Sequence, residues 1–377
     1  MSKLYPIGVQ NFEKVISGGY EYIDKTALIY QLFNTGSYYF LSRPRRFGKS
    51  LLLSTIEAYA LGKKDLFKGL ALEKLEKDWT VYPVLHLDLN TQKYDTPESL
   101  TNVLEENVQN WEALYGSSSG EIGVARRFQG IIRRACEQTG RRVVILIDEY
   151  DKPMLQAIGN EALQNEYRST LKAFYGALKS MDGCIRFALL TGVTKFGKVS
   201  VFSDLNNLRD ISMIDQYAEI CGISEKEIHT CFEEDIHELA AATGMSYEET
   251  CKELKTNYDG YHFTENAIGM YNPFSLLNTF AKKRFGSYWF ETGTPTYLVE
   301  LLKLHHFPIE DLEHIVTSQP VLDSIDTAST DPIPVIYQSG YLTIKGYNRM
   351  FENYTLGFPN RRWNRDSSSS CCQIMLR

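Results

Sequence analysis

Three short stretches of this chain end in residues whose types and spacing can do chemistry together. Gly48, Lys49 and Ser50 end SRPRRFGKS (Ser42–Ser50), Asp148 and Glu149 end VVILIDE (Val143–Glu149), and Thr191 ends IRFALLT (Ile185–Thr191). The first matches the close of the phosphate-binding pattern G-x-x-x-x-G-K-[ST]. There the glycine lets backbone N–H groups approach an anion, the lysine reaches the β and γ phosphates, and the serine hydroxyl ligates Mg2+. Arg43 stands where that pattern has its first glycine. The match is therefore incomplete, and a bare Gly-Lys-Ser arises readily by chance.

The second stretch weighs against chance. Val143–Ile147 are five apolar residues followed at once by two acids. This is the Walker B arrangement, in which a buried strand delivers a carboxylate to its C-terminal edge beside the phosphates. Asp148 is then the holder of Mg2+, usually through water, and Glu149 the base that orients and deprotonates the attacking water. A strand ending in a solvated acidic turn is the plainer alternative, but the two motifs occur in the required order, about a hundred residues apart.

Thr191 is a candidate sensor of the γ-phosphate, with a simple turn residue equally open. Arg45 and Arg46 lie inside the loop, where guanidinium groups stabilise triphosphate charge. They are candidate nucleotide contacts, with a reach to a neighbouring subunit or an ordinary basic loop tip as alternatives. Lys195 and Lys198 are read as solvated rather than phosphate-bound. His86 and Asp88 share one strand face at period two and are read as a buried hydrogen-bonded pair in preference to a catalytic one. His305 and His306 are adjacent, diverge on a helix and make a poor metal site. Asp24 is expected to cap a helix from Lys25 to Phe33.

Elements that can hold these residues are visible in the first half. SYYFLS (Ser37–Ser42), YPVLHLDLN (Tyr82–Asn90), RRVVILIDEYD (Arg141–Asp151) and IRFALLTG (Ile185–Gly192) are apolar strand-like runs separated by helical stretches. Such near-continuous runs indicate an α/β fold with a parallel sheet covered on both faces. In SLLLSTIEAYALG (Ser50–Gly62), Leu52, Ile56 and Tyr59 share a helical face, so strand, loop and helix follow in the order an anion site needs.

After about Asp215 the texture changes. SEKEIHTCFEEDIHELAAATG (Ser224–Gly244) is expected to be one charged amphipathic helix with a serine cap and a glycine stop. SYEETCKELKTNYDGYHF (Ser246–Phe263) is expected to be another, ended by Asp259-Gly260. TYLVELLKLHHF (Thr296–Phe307) looks helical, and GYLTIKGYNRMFENYTLGFPN (Gly340–Asn360) reads as two β runs around an Asn-containing turn. The expected organisation is a core at 1–215, a helical lid-like region at 216–288, a winged-helix-like region at 289–360 and a disordered tail at 361–377.

Bulk properties set the outer limits. A length of 377 residues suits two or three domains. The net charge of -7 argues against a chain that coats nucleic acid wholesale, though a local basic patch stays open. Seven cysteines without a CxxC spacing make zinc an unsuitable guess and read as reduced thiols. The N-terminus lacks a signal-peptide core and no apolar run approaches the ~18 residues of a membrane span, so the expected location is the cytoplasm and no membrane partner is expected.

These stretches resemble the bacterial AAA-ATPase-like proteins. The likeness is carried by YIDKT (Tyr22–Thr26), YYFLSRPRRFGKSLLLSTIEAY (Tyr38–Tyr59), VVILIDEYDKP (Val143–Pro153), LTGVTKF (Leu190–Phe196), YNPFSLLN (Tyr271–Asn278) and YQSGYLTIK (Tyr337–Lys345), and spans about residues 5 to 360. The resemblance implies a P-loop NTPase core with the acid pair on the Walker B strand (the ASCE type), followed by a helical and a winged-helix-like extension, with arginine as a family trait at position 43. It assigns ATP and Mg2+ to Gly48, Lys49, Ser50, Asp148 and Glu149. It also implies a C-terminal PD-(D/E)XK nuclease-like domain after LGFPN, which this sequence does not carry; Glu253–Lys255 lies in helical sequence. The tail RRWNRDSSSSCCQIM, back-translated with one base restored, becomes a family-like apolar continuation, so a single-base deletion near Arg361 is one expectation. The function expected is an ATP–Mg2+ binding switch with slow hydrolysis. The alternatives are a non-hydrolysing nucleotide-dependent scaffold and the regulatory half of a nuclease-linked protein, with nucleic-acid contact and oligomerisation open.

Overall fold

The structure is a computed structural model that describes residues 3–195, 201, 202, 205, 207–266, 268–291, 314–323 and 331–361. Lys198, the helix proposed at Thr296–Phe307 with His305 and His306, and nearly all of the tail fall outside them.

Each apolar run expected as a strand is one. Strands β1 (Tyr38–Ser42), β2 (Val84–Asp88), β3 (Val143–Asp148), β4 (Ile185–Gly192) and β5 (Arg209–Asp210) form a sheet in the order β2-β3-β4-β1-β5, with every pairing parallel. Every residue of β1 and β3 is buried, as expected for strands covered on two faces. The covering helices are α1 (Phe12–Ser17), α2 (Thr26–Thr35), α3 (Lys49–Ala60), α4 (Ala71–Leu75), α5 (Pro97–Tyr115), α6 (Val124–Thr139), α7 (Lys152–Gln156) and α8 (Glu161–Ser180). Helix α3 buries Leu52, Ile56 and Tyr59 against β2, β3 and β4, while α5, α6 and α8 pack together, with α6 touching β3. The result is an α/β, P-loop NTPase-like fold.

The strand order matters for the site. β4 lies between β1 and β3, so the C-terminal ends of the loop strand and the acid strand flank Thr191, which pairs in register with Leu41. In open α/β sheets ligands bind outside the carboxyl ends of the strands.

Asp24 serves the helix start from one position before the N-cap, which is Lys25 and makes no side-chain cap bond. The helix starts one residue later, at Thr26, whose N–H (2.8 Å) and hydroxyl (2.6 Å) both donate to Asp24 Oδ1. Its other oxygen takes the Ala71 N–H at the start of α4, so one side chain orders two helix starts.

Beyond the sheet, one expected helix is two. Ser224–Gly244 divides into Glu225–Cys231 and Glu233–Thr243 at Phe232 (φ -127°). Phe232 is fully buried; its ring stacks on Phe280 at 5.2 Å, and turning the chain there lets both helices keep an apolar face on the same small core. The Ser224–Glu227 capping box and the left-handed Gly244 stop are where expected. Helix Tyr247–Tyr258 ends at Asp259. Strands β6 (Ile223–Ser224) and β7 (Met270–Tyr271) pair antiparallel beside it, and helix Pro273–Lys282 follows.

The expected hairpin is present as β9 (Thr343–Asn348) and β10 (Asn353–Gly357), with β8 (Ile315–Ser318) pairing antiparallel on β10's other side. Side chains of this part, Ile344 and Leu356 among them, belong to the same apolar cluster as the sheet, whereas the helical region has a cluster of its own. Glu253 and Lys255 sit on a helix, as read from the sequence.

Candidate nucleotide site

The loop from β1 to α3 has the backbone of an anion cradle. Arg46 (φ 68°) and Gly48 (φ 95°) are both left-handed, a turn that directs successive N–H groups toward one point. Gly48 is the residue before α3, so the unpaired N–H groups and positive dipole end of a twelve-residue helix open onto the loop. A Cβ on Gly48 would meet nothing within 4 Å. The glycine is therefore required by its dihedral and not by crowding.

Lys49 is 4% exposed. Its ammonium donates to the Arg43 carbonyl (3.0 Å) and the Pro44 carbonyl (3.4 Å) and stands 3.3 Å from Glu149 Oε1. The Ser50 hydroxyl donates to Asp148 Oδ2 at 2.5 Å, and the Thr191 hydroxyl donates to Asp148 Oδ1 at 2.5 Å. Asp148 thus joins the loop helix, the acid strand and the strand between them. Glu149 takes a left-handed turn, φ 53°, which lets its carboxylate face Lys49 across the edge of the sheet. Lys49, Ser50, Asp148, Glu149 and Thr191, read from three separate stretches, all meet here.

Arg43 does something else. It is buried, donates Nη1 to the Ser42 and Ser212 carbonyls (2.9 and 2.8 Å) and Nη2 to the Tyr217 carbonyl (3.2 Å), and lies 4.1 Å from the Phe263 ring centre. Burial lowers its pKa, partly offset by Cys221, Tyr337 and Asp210. Where the common pattern has a glycine, this loop has a strut that fixes it to the chain after β5. Arg45 and Arg46 are exposed at the tip. Arg46 stacks over Phe274 at 5.0 Å, and the Arg45 carbonyl accepts from Trp289 Nε1 at 3.2 Å.

Two readings of single residues are corrected. Lys195 is not solvated: it is 4% exposed and paired with Asp210 (2.9 Å) and Asp323. His86 does not bond Asp88. Its Nδ1 lies 3.0 Å from Glu57 Oε2 on α3, because α3 packs against that strand and offers a nearer acid. Asp88 Oδ1 instead accepts the Asn90 N–H at 2.7 Å.

A cavity of about 570 Å³ opens over the loop, within the range of small-molecule sites. Its cations are Arg45, Arg46 and Lys49 from the loop and the start of α3, Lys152 from α7 and Lys25 from the N-terminal stretch, and apolar walls come from that stretch (Ile7, Ile23) and the helical region (Phe274, Leu277). Such a lining suits a charged phosphate chain joined to a flat base. The N-terminal and helical walls and Lys152 were not legible in the sequence, since nothing local marks a residue as facing a distant loop.

The donors also suit the metal that the motif implies. Ser50 and Asp148 are hard oxygen ligands, the pair Mg2+ takes when phosphate and water complete its shell. Among the described residues no group of three or more His, Cys, Asp or Glu is placed to hold a metal by itself. No helix among them is long and apolar enough to cross a membrane.

Residues 6–202 match the family described as "AAA-ATPase_like: Predicted AAA-ATPase". The chain is also 38% identical, over 362 residues, to a protein of Azotobacter chroococcum mcd 1 named "Uncharacterized protein in vnfD 5'region", a match covering 95% of this chain and 68% of the relative. The chain therefore belongs to the predicted AAA-ATPase family and is, at that coarse level, a nucleotide-binding protein of the ATPase type.

Proposed function

We propose that this chain binds ATP with Mg2+ in the cavity over the β1–α3 loop and hydrolyses it slowly, using the bound state to shift its helical and C-terminal parts against the sheet. One observation carries the reading: Asp148 bonds Ser50 and Thr191 at once, both at 2.5 Å, and Ser50 itself lines the cationic cavity.

The roles follow from the atoms. Lys49 exchanges its two carbonyl partners and Glu149 for phosphate oxygens, a stronger set of acceptors for a buried ammonium. The N–H groups at the start of α3, with Arg45 and Arg46, take the rest of the phosphate charge. Ser50 and Asp148 would hold Mg2+, which would supply neutralisation of the phosphate charge. Glu149, released from Lys49, orients a water and removes its proton. Thr191 fixes Asp148 and reads the γ-phosphate. The regions at 216–288 and 289–360 move as lid-like and winged-helix-like parts, in a cytoplasmic setting.

A second reading is a scaffold that binds nucleotide without turnover. The 3.3 Å contact of Glu149 with Lys49 favours it, because a base that stays paired with the lysine activates no water. Glu149→Gln separates the two. We expect phosphate release to fall about 10²-fold or more while nucleotide affinity holds; release unchanged by the substitution assigns any turnover to another source.

A further inference from the structure

Asp151 lies two residues beyond Glu149 and is wholly buried. The donors it meets are neutral and come from the segment after β4: the Thr194 N–H (2.6 Å) and hydroxyl (2.7 Å) on Oδ2, and the Val193 N–H (3.3 Å) on Oδ1. Burial raises its pKa to about 6, helped by the charge of Glu149 and opposed by the Thr194 hydrogen bonds and by Lys49. A carboxylate held in this way is a costly means of closing a turn. Removing the carboxylate alone would in turn leave the three buried donors from Val193 and Thr194 without an acceptor.

What the carboxylate achieves is registration. Its neighbour Tyr150 donates its N–H to the Thr191 carbonyl (3.0 Å) and its hydroxyl to the Thr194 carbonyl (3.1 Å). The turn bearing Glu149 and the segment bearing Thr191 are therefore stitched together by Tyr150 and Asp151. The approach is close: a Cβ on Gly192 would lie 2.7 Å from Asp151 Oδ1 and from the Tyr150 ring. Glu149 sits at the head of this stitch in a left-handed conformation that needs its surroundings to hold it.

We propose that Asp151 is a positioning residue for hydrolysis, clamping the Glu149 turn to the Thr191–Thr194 segment so that base and sensor keep one mutual geometry. This rests on the ATPase reading above. Asp151 touches neither loop nor cradle, so its loss acts on turnover and spares binding. Displacing a reacting group by about an ångström is enough to cost up to about 10²-fold.

The test uses the full chain, a fluorescent ATP analogue for affinity and phosphate release for turnover. Asp151→Asn turns an NH2 toward donors that need an acceptor. We expect it to hold affinity within about threefold and lower kcat at least about tenfold. Thr194→Val removes one bond of the clamp and should lower kcat less, Thr194→Ser should restore it to within about twofold, and the double variant should be no slower than Asp151→Asn alone. A folded Asp151→Asn protein with wild-type kcat, or one that loses affinity as much as turnover, overturns the proposal. If Asp151→Asn does not fold, Thr194→Val decides, and wild-type kcat there overturns it. Wild-type and Glu149→Gln protein run alongside: equal turnover in those two overturns the ATPase reading itself, and this inference with it.

Discussion

At the scale of single residues, the site turns on Asp148, which accepts from the Ser50 and Thr191 hydroxyls at 2.5 Å each. Lys49, Ser50, Asp148 and Glu149 each follow a strand or loop directly, so their direction comes with their element and was legible in the sequence. Asp151, Arg43 and Lys195 were not legible, because a polar side chain's partner is chosen by the tertiary fold; Arg43 finds carbonyls about 170 residues away. His86 is the same lesson with a measurable consequence. Burial opposes its charge, yet Glu57, with Asp148 and Asp88 behind it, outweighs burial and raises its pKa above the ordinary 6.5. A raised folded-state value means the proton favours the fold. The contribution is complete below about pH 6.5, the unfolded value, and is lost as pH rises through the folded value. Urea midpoints taken between about pH 6 and pH 8 should therefore fall less in His86→Gln than in wild type; equal slopes would refute the pairing with Glu57.

At the scale of elements, periodicity and caps placed the parallel strands, helix α3 and the C-terminal hairpin, since these signals are short-range. They failed at Phe232, where a charged amphipathic run is interrupted by the demand of one aromatic ring for the apolar cluster it packs into. Among the 24 tyrosines, Tyr94 and Tyr150 are buried while their hydroxyls donate to the Leu89 and Thr194 carbonyls, which is how a buried phenol satisfies its polar end. The loop's own geometry rests on Gly48. Because the space around it is open, Gly48→Ala carries only the conformational penalty, about 1–2 kcal/mol. A small drop in the urea midpoint and a larger drop in nucleotide affinity are expected, as N–H groups turn away from the phosphates. Affinity equal to wild type would remove the cradle from the account.

At the scale of the whole molecule, sequence indicated a sheet followed by further parts but not how those parts hold on to it. Lys195 is one answer. It stands four residues past Thr191, with its ammonium between Asp210 of the sheet's edge strand β5 and Asp323 of the C-terminal part, and its N–H on Gln338 Oε1 at 2.5 Å. Burial lowers its pKa, but the two carboxylates more than reverse this and keep it charged. Removing the ammonium leaves two acids facing each other. Lys195→Met is accordingly expected to destabilise the fold by about 3 kcal/mol, the low end for a broken buried pair because Asp323 stays partly in water. Urea denaturation measures this, and a stability unchanged from wild type would separate the C-terminal part from the site.

The central claim is that the β1–α3 loop grips a triphosphate with Lys49 while Asp148 faces it. Titrating a fluorescent ATP analogue into wild type and Lys49→Ala, with Mg2+ and then with a chelator, tests it most directly. Saturable binding that weakens at least about tenfold without the lysine, the loss expected when a charged hydrogen-bond donor is removed, and that depends on Mg2+, is the predicted result. Isotherms that coincide for the two proteins would contradict it.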